Sequence, residues 1–377
     1  MNTKYNSLFE SLTLANGLQL KNRLVMAPMT HFSSNPNGTV SDAEIGYYNH
    51  HAKDLGMVIT ACINVSENGK GFPGQFSGTS DDKIPGLKKL AAGIQEQGAA
   101  AILQIFHGGR SCPPDLVPNG DIVSSSAVPG VQLDGSQGPT PRELEALEIE
   151  QIIRDFGETT RRAIEAGFDG VEIHGANGYL IQQFFSPHSN QREDRFGGTL
   201  EKRMTFPLEI IKEVKRVVDA HAKTPFIIGY RFSPEEPTEP GITMADTLAF
   251  VDALSEQPLD YLHVSLIDYK SEPRRGVVTN KTRLELLADK INGRVPLIGV
   301  GSVQTAEDAL NVLQTGSDLI ALGREIIIDP DWVQKIKNEQ EDQIETELDL
   351  NGQERLVIPD PLWKAIIGAP GWFPGVK

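Results

Sequence analysis

The chain has 377 residues, with 35 Lys and Arg against 51 Asp and Glu and a net charge of −16. That excess repels phosphate backbones and argues against a nucleic-acid partner. The length exceeds a usual domain of about 100–200 residues, but α/β barrels often run larger as one domain.

Residues 1–10 carry Lys4 and Glu10 and lack the apolar stretch of a secretory leader. No apolar run approaches the roughly 20 residues that span a bilayer. The two cysteines, Cys62 and Cys112, fit a reducing compartment and are too few for a disulfide framework or an iron–sulfur cluster. A cytoplasmic location with no metal centre and no membrane partner is expected. Residues 12–21 alternate around Asn16-Gly17, a hairpin signal. Eight short β-rich runs follow, at 23–28, 56–62, 100–106, 170–174, 226–232, 261–265, 295–300 and 318–322, each succeeded by a helical pattern. Most are near-continuous Val/Ile/Leu stretches, as strands buried on both faces require. Their alternation with helices implies a parallel sheet.

Helix starts are marked by Ser41 with Glu44, Thr243 with Asp246 and Thr305 with Asp308, which resemble capping boxes. Asp329-Pro330 reads as a further N-cap with proline at the first helical position. Gly98, Gly167 and Gly316 stand where helices end. After the third strand, residues 110–143 form a Pro/Gly/Ser-rich excursion of lid-like length. An acidic stretch, 338–347, leads to a second hairpin signal at Asn351-Gly352, and residues 363–377 are a tail rich in Trp, Pro and Gly. The pattern predicts an α/β fold: a (β/α)8 TIM barrel with an N-terminal hairpin and a long excursion after strand three, residues 1–377 forming one domain. A doubly wound sheet is the alternative that pattern alone leaves open.

Barrel enzymes carry their chemistry at the C-terminal ends of the strands. Pro28, Met29 and Thr30, Cys62, Gln104 and His107, His174 through Tyr179, Arg231, Ser265, Gly301 and Ser302, and Gly323 and Arg324 all stand there. The last two strand ends, Gly299-Val300-Gly301 and Leu322-Gly323-Arg324, suit a phosphate: glycine lets backbone amides approach, and Arg324 adds a bidentate contact. Tight turns alone would also account for the glycines. A dinucleotide fingerprint is absent, because Gln304 stands where its third glycine belongs, so a mononucleotide fits better. His174 and Asn177 can aim two donors at one acceptor and stabilise negative charge there, and the Tyr179 phenol can deliver a proton. A structural hydrogen bond is the competing reading of His174. Arg231 reads either as half of an ion pair or as a fixed cation beside an electron-accepting ring, and Gln104 matches an amide-like ring edge.

In order and spacing these residues resemble the old yellow enzyme family of FMN-dependent ene-reductases, over nearly the whole chain. The most specific segment runs from His174-Gly-Ala-Asn177-Gly-Tyr179 to Ser189-Asn-Gln-Arg192-Glu-Asp194-Arg-Phe-Gly197-Gly198, supported by Arg23 to Thr30, Gln104 to Arg110 and Leu322-Gly323-Arg324. Within the family the chain is similar to bacterial NADH-dependent flavin oxidoreductases. The resemblance implies FMN as cofactor, with backbone from Pro28 through Met29 to Thr30 lining the flavin and the Thr30 hydroxyl near its C4 oxygen. It implies a backbone amide from Cys62, Gln104 on the pyrimidine edge and Arg231 near N1 and the C2 oxygen. Gly301, Ser302, Gly323 and Arg324 would hold the phosphate. His174 and Asn177 would hold a substrate carbonyl, with Tyr179 as proton donor. Thr30 stands where one branch has a redox-tuning cysteine, Phe32 replaces a tyrosine, and Cys62 falls where Ala or Gly is common. The Cys62 thiol therefore reads as a small buried hydrophobe. The larger relatives that reduce dienoyl-CoA carry further domains for which this chain has neither room nor cysteines.

The expected activity is reduction of an α,β-unsaturated carbonyl compound with NADH or NADPH as reductant. A hydride would reach the β-carbon from flavin N5 and a proton the α-carbon from Tyr179. Two alternatives stand beside it: an FMN barrel acting on another substrate class, such as amine oxidation or demethylation, and a phosphate-binding barrel without flavin. The physiological substrate, the preferred nicotinamide and the oligomeric state are not readable from the residues.

Overall fold

Strands that carry apolar side chains on both faces need a covered sheet, and a closed ring wrapped in helices supplies one. The computed structural model describes residues 3–131 and 136–377. Its barrel strands are β1 (Leu24–Met26), β2 (Met57–Ile59), β3 (Ala100–Phe106), β4 (Gly170–Gly175), β5 (Ile227–Phe232), β6 (Tyr261–Val264), β7 (Leu297–Val300) and β8 (Leu319–Leu322). Each pairs in parallel with its neighbours in chain order, and the pairing of β8 with β1 closes the ring. The doubly wound alternative is thereby overturned. A two-residue strand, Ile63–Asn64, extends the edge beside the end of β3.

The principal helices are α1 (Asp42–His51), α2 (Ile84–Glu96), α3 (Ala146–Glu165), α4 (Thr205–His221), α5 (Met244–Ser255), α6 (Arg283–Ile291), α7 (Ala306–Gln314) and α8 (Trp332–Lys337). The three expected capping boxes form at α1, α5 and α7, the aspartates of the last two reaching back to the cap amide as the glutamate of the first does. Gly98, Gly167 and Gly316 follow helix ends at φ of 77°, 83° and 93°, a conformation that glycine adopts without a Cβ clash.

Two local expectations are corrected. Asp329 does not cap α8, which starts two residues later behind Asp331. The Asp329 carboxylate is already engaged by Lys335 at 2.6 Å and by the amides of Asp331 and Glu345. Asn351-Gly352 forms no hairpin; Gly352 instead donates to the Asp349 carbonyl in a turn that Arg355 braces through Glu345 and Asp349. Of the 110–143 excursion, residues 132–135 lie outside the described set, as do Met1 and Asn2. The rest of the excursion includes short 3-10 turns and the strand pair Val123–Ser124 with Arg142–Glu143.

Side chains alternate in and out along each strand. Val25, Met57, Ile59, Ile102, Ile227, Tyr261, Ile298, Leu319 and Ala321 form one apolar cluster, the barrel interior. Their sequence neighbours Leu24, Val58, Leu103, Ile228, Leu262, Leu297 and Ile320 belong to the larger cluster that faces the helices. Leu14 and Leu20 of the N-terminal hairpin join the interior cluster, so the hairpin plugs one end of the barrel and leaves the other for polar groups.

Candidate active site

Above that apolar floor the same alternation brings polar residues inside. Two positions beyond Ile102 is Gln104, and four beyond Ile227 is Arg231; Tyr261 is followed by His263. Strand register sets Gln104 opposite Glu172, and Arg231 opposite both His174 and His263. All five are buried. The Gln104 Nε2 donates to Glu172 Oε1 at 2.7 Å, and His263 Nδ1 meets Glu172 Oε2 at 2.9 Å. Strand-end reading missed Glu172 and His263. Their signal was the period of two that runs back from His174 and Ser265 into the strands.

A cavity of about 380 Å³ opens beside this layer, lined by Pro28, Met29, Arg231, Gly301, Ser302, Gly323 and Arg324 among others. Seven of the expected cofactor residues are thus brought to one space. Arg324 Nη1 donates to the Trp372 carbonyl at 2.8 Å, so the C-terminal tail walls the same cavity. Gly301 has φ of 128°, and a Cβ there would meet the backbone of Asp268 and Tyr269 at 2.8–2.9 Å. Gly299, by contrast, packs toward Val312 and Ser317 on the helix side. It serves helix packing and not the cavity. Glu325 also lines the space, and burial raises its carboxyl to about 9, so it is neutral at pH 7 and does not oppose an anion.

The Nε of Arg231 is buried with no hydrogen-bond partner among the described residues, while its Nη2 donates to Ser265 Oγ at 3.2 Å. Burial, opposed by Glu172, lowers its guanidinium below the ordinary value. An unpartnered donor on a cavity wall and a basic, glycine-rich end together fit a flat heterocycle with a phosphate tail, while Thr30, Cys62, Gln104 and His174 are not among the residues that line this cavity. The Cys62 thiol, pushed up to about 12 by burial against an opposing hydrogen bond from Thr30, is no nucleophile.

The β4 end holds the remaining groups. The Ala176 N–H donates to His174 Nδ1 at 3.2 Å, which places the ring proton on Nε2. That nitrogen has no protein partner among the described residues. Burial, then Arg231 and His263, push this imidazole well below its ordinary value, so it is a neutral N–H donor. Asn177 and Gly178 take φ of 57° and 76°, a left-handed pair that turns the chain sharply and sets the Tyr179 ring edge-on to His174 at 5.1 Å between centroids. Phe106 packs edge-on against Tyr179 at 5.0 Å and Phe72 at 6.1 Å. Burial raises the Tyr179 phenol above its usual range, and its hydroxyl has no hydrogen-bond partner among the described residues. The Asn177 Oδ1 accepts from Ser265 Oγ at 2.8 Å, which leaves the Asn177 NH2 as the free end. Asn177 lies on a neighbouring rim pocket that shares Leu266 and Ile267 with the cavity. His107, also at a strand end, spends both nitrogens on Asn68 and the Gly109 amide and is structural.

The rest of the long β4 motif is scaffold. Gln183 Oε1 accepts from the Arg110 amide and from Ser124, and Ser125 donates to the Gln183 and Ser189 carbonyls. Arg192 donates to the Ser125 and Leu144 carbonyls at 3.0 and 2.7 Å. The excursion after β3 is thereby tied down beside Tyr179.

Comparison with known proteins agrees with this geometry. A family model described as NADH:flavin oxidoreductase / NADH oxidase family matches residues 7–343. A "probable NADH-dependent flavin oxidoreductase YqiG" of Bacillus subtilis (strain 168) is 53% identical over 374 residues, 99% of each chain. An "NADH:fumarate oxidoreductase" of Klebsiella pneumoniae (strain 342) is 41% identical over 96% of this chain, which spans only 39% of that protein. Among solved structures, morphinone reductase in complex with tetrahydroNAD matches with a TM-score of 0.74 and 28% identity, covering 89% of this chain and 91% of that one. No helix among the described residues is long and apolar enough to cross a membrane.

Proposed function

This chain belongs to the NADH:flavin oxidoreductase / NADH oxidase family and is an FMN-dependent oxidoreductase that uses NAD(P)H; from that premise we propose that it reduces the C=C bond of α,β-unsaturated carbonyl compounds. When bound, FMN supplies a two-electron carrier between nicotinamide and substrate. Gly301, Ser302, Gly323 and Arg324 hold its phosphate, and Pro28, Met29 and Thr30 with the Cys62 amide line its ring. Gln104 and Arg231 take its polar edge, and the unpartnered Arg231 Nε supports that role. The protein's own work is at the substrate. His174 Nε2–H and the Asn177 NH2 bind the carbonyl oxygen and stabilise negative charge as it develops there. Tyr179 then gives its proton to the α-carbon of the enolate, a base strong enough to take it from a phenol.

The observation that carries this reading is the neutral, tautomer-fixed His174 beside a phenol with no protein hydrogen bond. His107, at the end of the preceding barrel strand, spends both nitrogens on protein instead. The fumarate relative is named for an α,β-unsaturated dicarboxylate, which supports the same substrate class. The test is an anaerobic spectrum of the purified protein with NADH or NADPH, followed by cyclohexenone. Flavin bands should bleach with the nicotinamide and return with the enone. Bleaching with no return for any unsaturated carbonyl would move the substrate to another class, amines included.

A further inference from the structure

We propose that Glu172 is a positioning residue for the flavin: it locks the Gln104 amide in one orientation against the ring's pyrimidine edge and offsets the charge of Arg231 beside it. The inference rests on the assignment of Gln104 and Arg231 made above. Glu172 is fully buried in the polar layer, and both its oxygens are engaged, Oε1 by Gln104 Nε2 and Oε2 by His263 Nδ1. A carboxylate only accepts hydrogen bonds. Gln104 must therefore turn its NH2 toward Glu172, because a flipped amide would set two oxygens together in a buried site. What remains for the ligand is the Gln104 carbonyl oxygen and its second N–H. Side by side, these form an acceptor and a donor complementary to the N–H and C=O of an imide edge.

The charge on Glu172 is secured from every side. Burial alone would raise its carboxyl, but His263, Arg231 and Gln104 reverse this and hold it below its ordinary value. Burial pushes His263 down toward the neutral form, in which Nδ1–H donates to the carboxylate. A fixed anion thus faces a fixed cation within the layer the cofactor covers. Removing the anion leaves Arg231 unbalanced, and an unbalanced cation favours electron uptake by a neighbouring ring.

The experiment compares holoenzyme of wild type, Glu172→Gln, Gln104→Ala and the double variant by FMN dissociation constant and two-electron midpoint potential. Glu172→Gln should weaken FMN binding about tenfold and move the potential to a more positive value. In the Gln104→Ala background the same substitution should change affinity less than about twofold while the positive shift persists, because the charge effect does not pass through the amide. Wild-type values for both quantities in Glu172→Gln, or affinity losses that simply multiply in the double variant, would overturn the proposal. A second measurement needs only wild type: with ¹⁵N-labelled FMN bound, the ring N3–H should exchange slowly and resonate downfield of free FMN. Exchange as fast as in free FMN would overturn the proposal even if Glu172→Gln failed to fold. Failure of the substrate reading would show differently, as bleaching without enone turnover while potential and affinity still respond to Glu172.

Discussion

His174 and His107 are both buried at strand ends, and only their hydrogen-bond partners separate a substrate-binding group from a strut. Tyr179 stands apart from the core phenols by place, edge-on to His174 at the end of β4, and not by its unpartnered hydroxyl, which the buried Tyr47, Tyr230 and Tyr261 share. Tyr179→Phe keeps the ring contacts with Phe106 and His174 and removes only the proton. It should slow the alkene half-reaction by about 10²-fold or more and leave flavin reduction by nicotinamide within about twofold. Stopped-flow traces of the two halves check this, and equal loss in both would discard the assignment. Ser265→Ala frees the Asn177 amide to rotate. Loss of one such hydrogen bond, about 1 kcal/mol, should appear as a roughly fivefold rise in KM for the enone with little change in kcat. At this scale the strand-end residues were legible, because special residue types cluster where parallel barrels do chemistry. Glu172, His263 and the Ser265 contact were not. The first two sit inside strands, where a polar residue is visible only once inward parity is known, and Ser265 meets Asn177 across 88 positions of chain.

Among the elements, the tail and the excursion were readable as irregular segments but not as parts of the site. Pro and Gly announce loops without saying where loops dock. The tail docks by burying Phe373 and by offering the Trp372 carbonyl to Arg324. A backbone carbonyl belongs to any residue, so no sequence pattern reports it. The distinction is testable. Trp372→Ala keeps the carbonyl and should leave FMN affinity within about threefold. Deleting residues 369–377 removes the Arg324 partner and one wall of the cavity, and should weaken FMN at least tenfold, about 1.4 kcal/mol. Fluorescence titration with folding checked by circular dichroism reads both. Equal affinities for the two variants would mean that neither the Trp372 carbonyl nor the wall formed by the tail contributes to FMN binding. The α8 start shows the converse: Asp329-Pro330 is a sound local signal, overruled because Lys335 claims the carboxylate.

For the whole molecule, eight apolar runs separated by capped helices made a covered parallel sheet legible, while the choice of a closed barrel over a doubly wound sheet rests on the pairing of β8 with β1. Closing it also buries titratable groups, and these shape stability against pH. Burial depresses His51 and His107 to about 3 from 6.5. Below pH 6.5 the unfolded chain takes up protons that these folded rings refuse, so each lowers stability on acidification by about 1.4 kcal/mol per pH unit. His174 and His263 are shifted in the same direction. Glu325, raised from 4.5 to about 9 by burial, acts with the opposite sign: the folded chain keeps a proton that the unfolded chain loses, so stability falls as pH rises from 4.5 toward 9. Between pH 5 and about 7 the protons taken up by the four unfolded histidines outweigh the one kept by the carboxyl and stability drops with acid; at higher pH the carboxyl dominates and stability drops with base. Urea unfolding at intervals from pH 5 to 9 should therefore peak at about pH 7. His51→Gln should flatten the acid arm by about 1.4 kcal/mol per pH unit, and Glu325→Gln should flatten the alkaline arm alone. A peak that stayed put while either variant left both arms unchanged would show that the substituted group keeps its ordinary pKa in the fold.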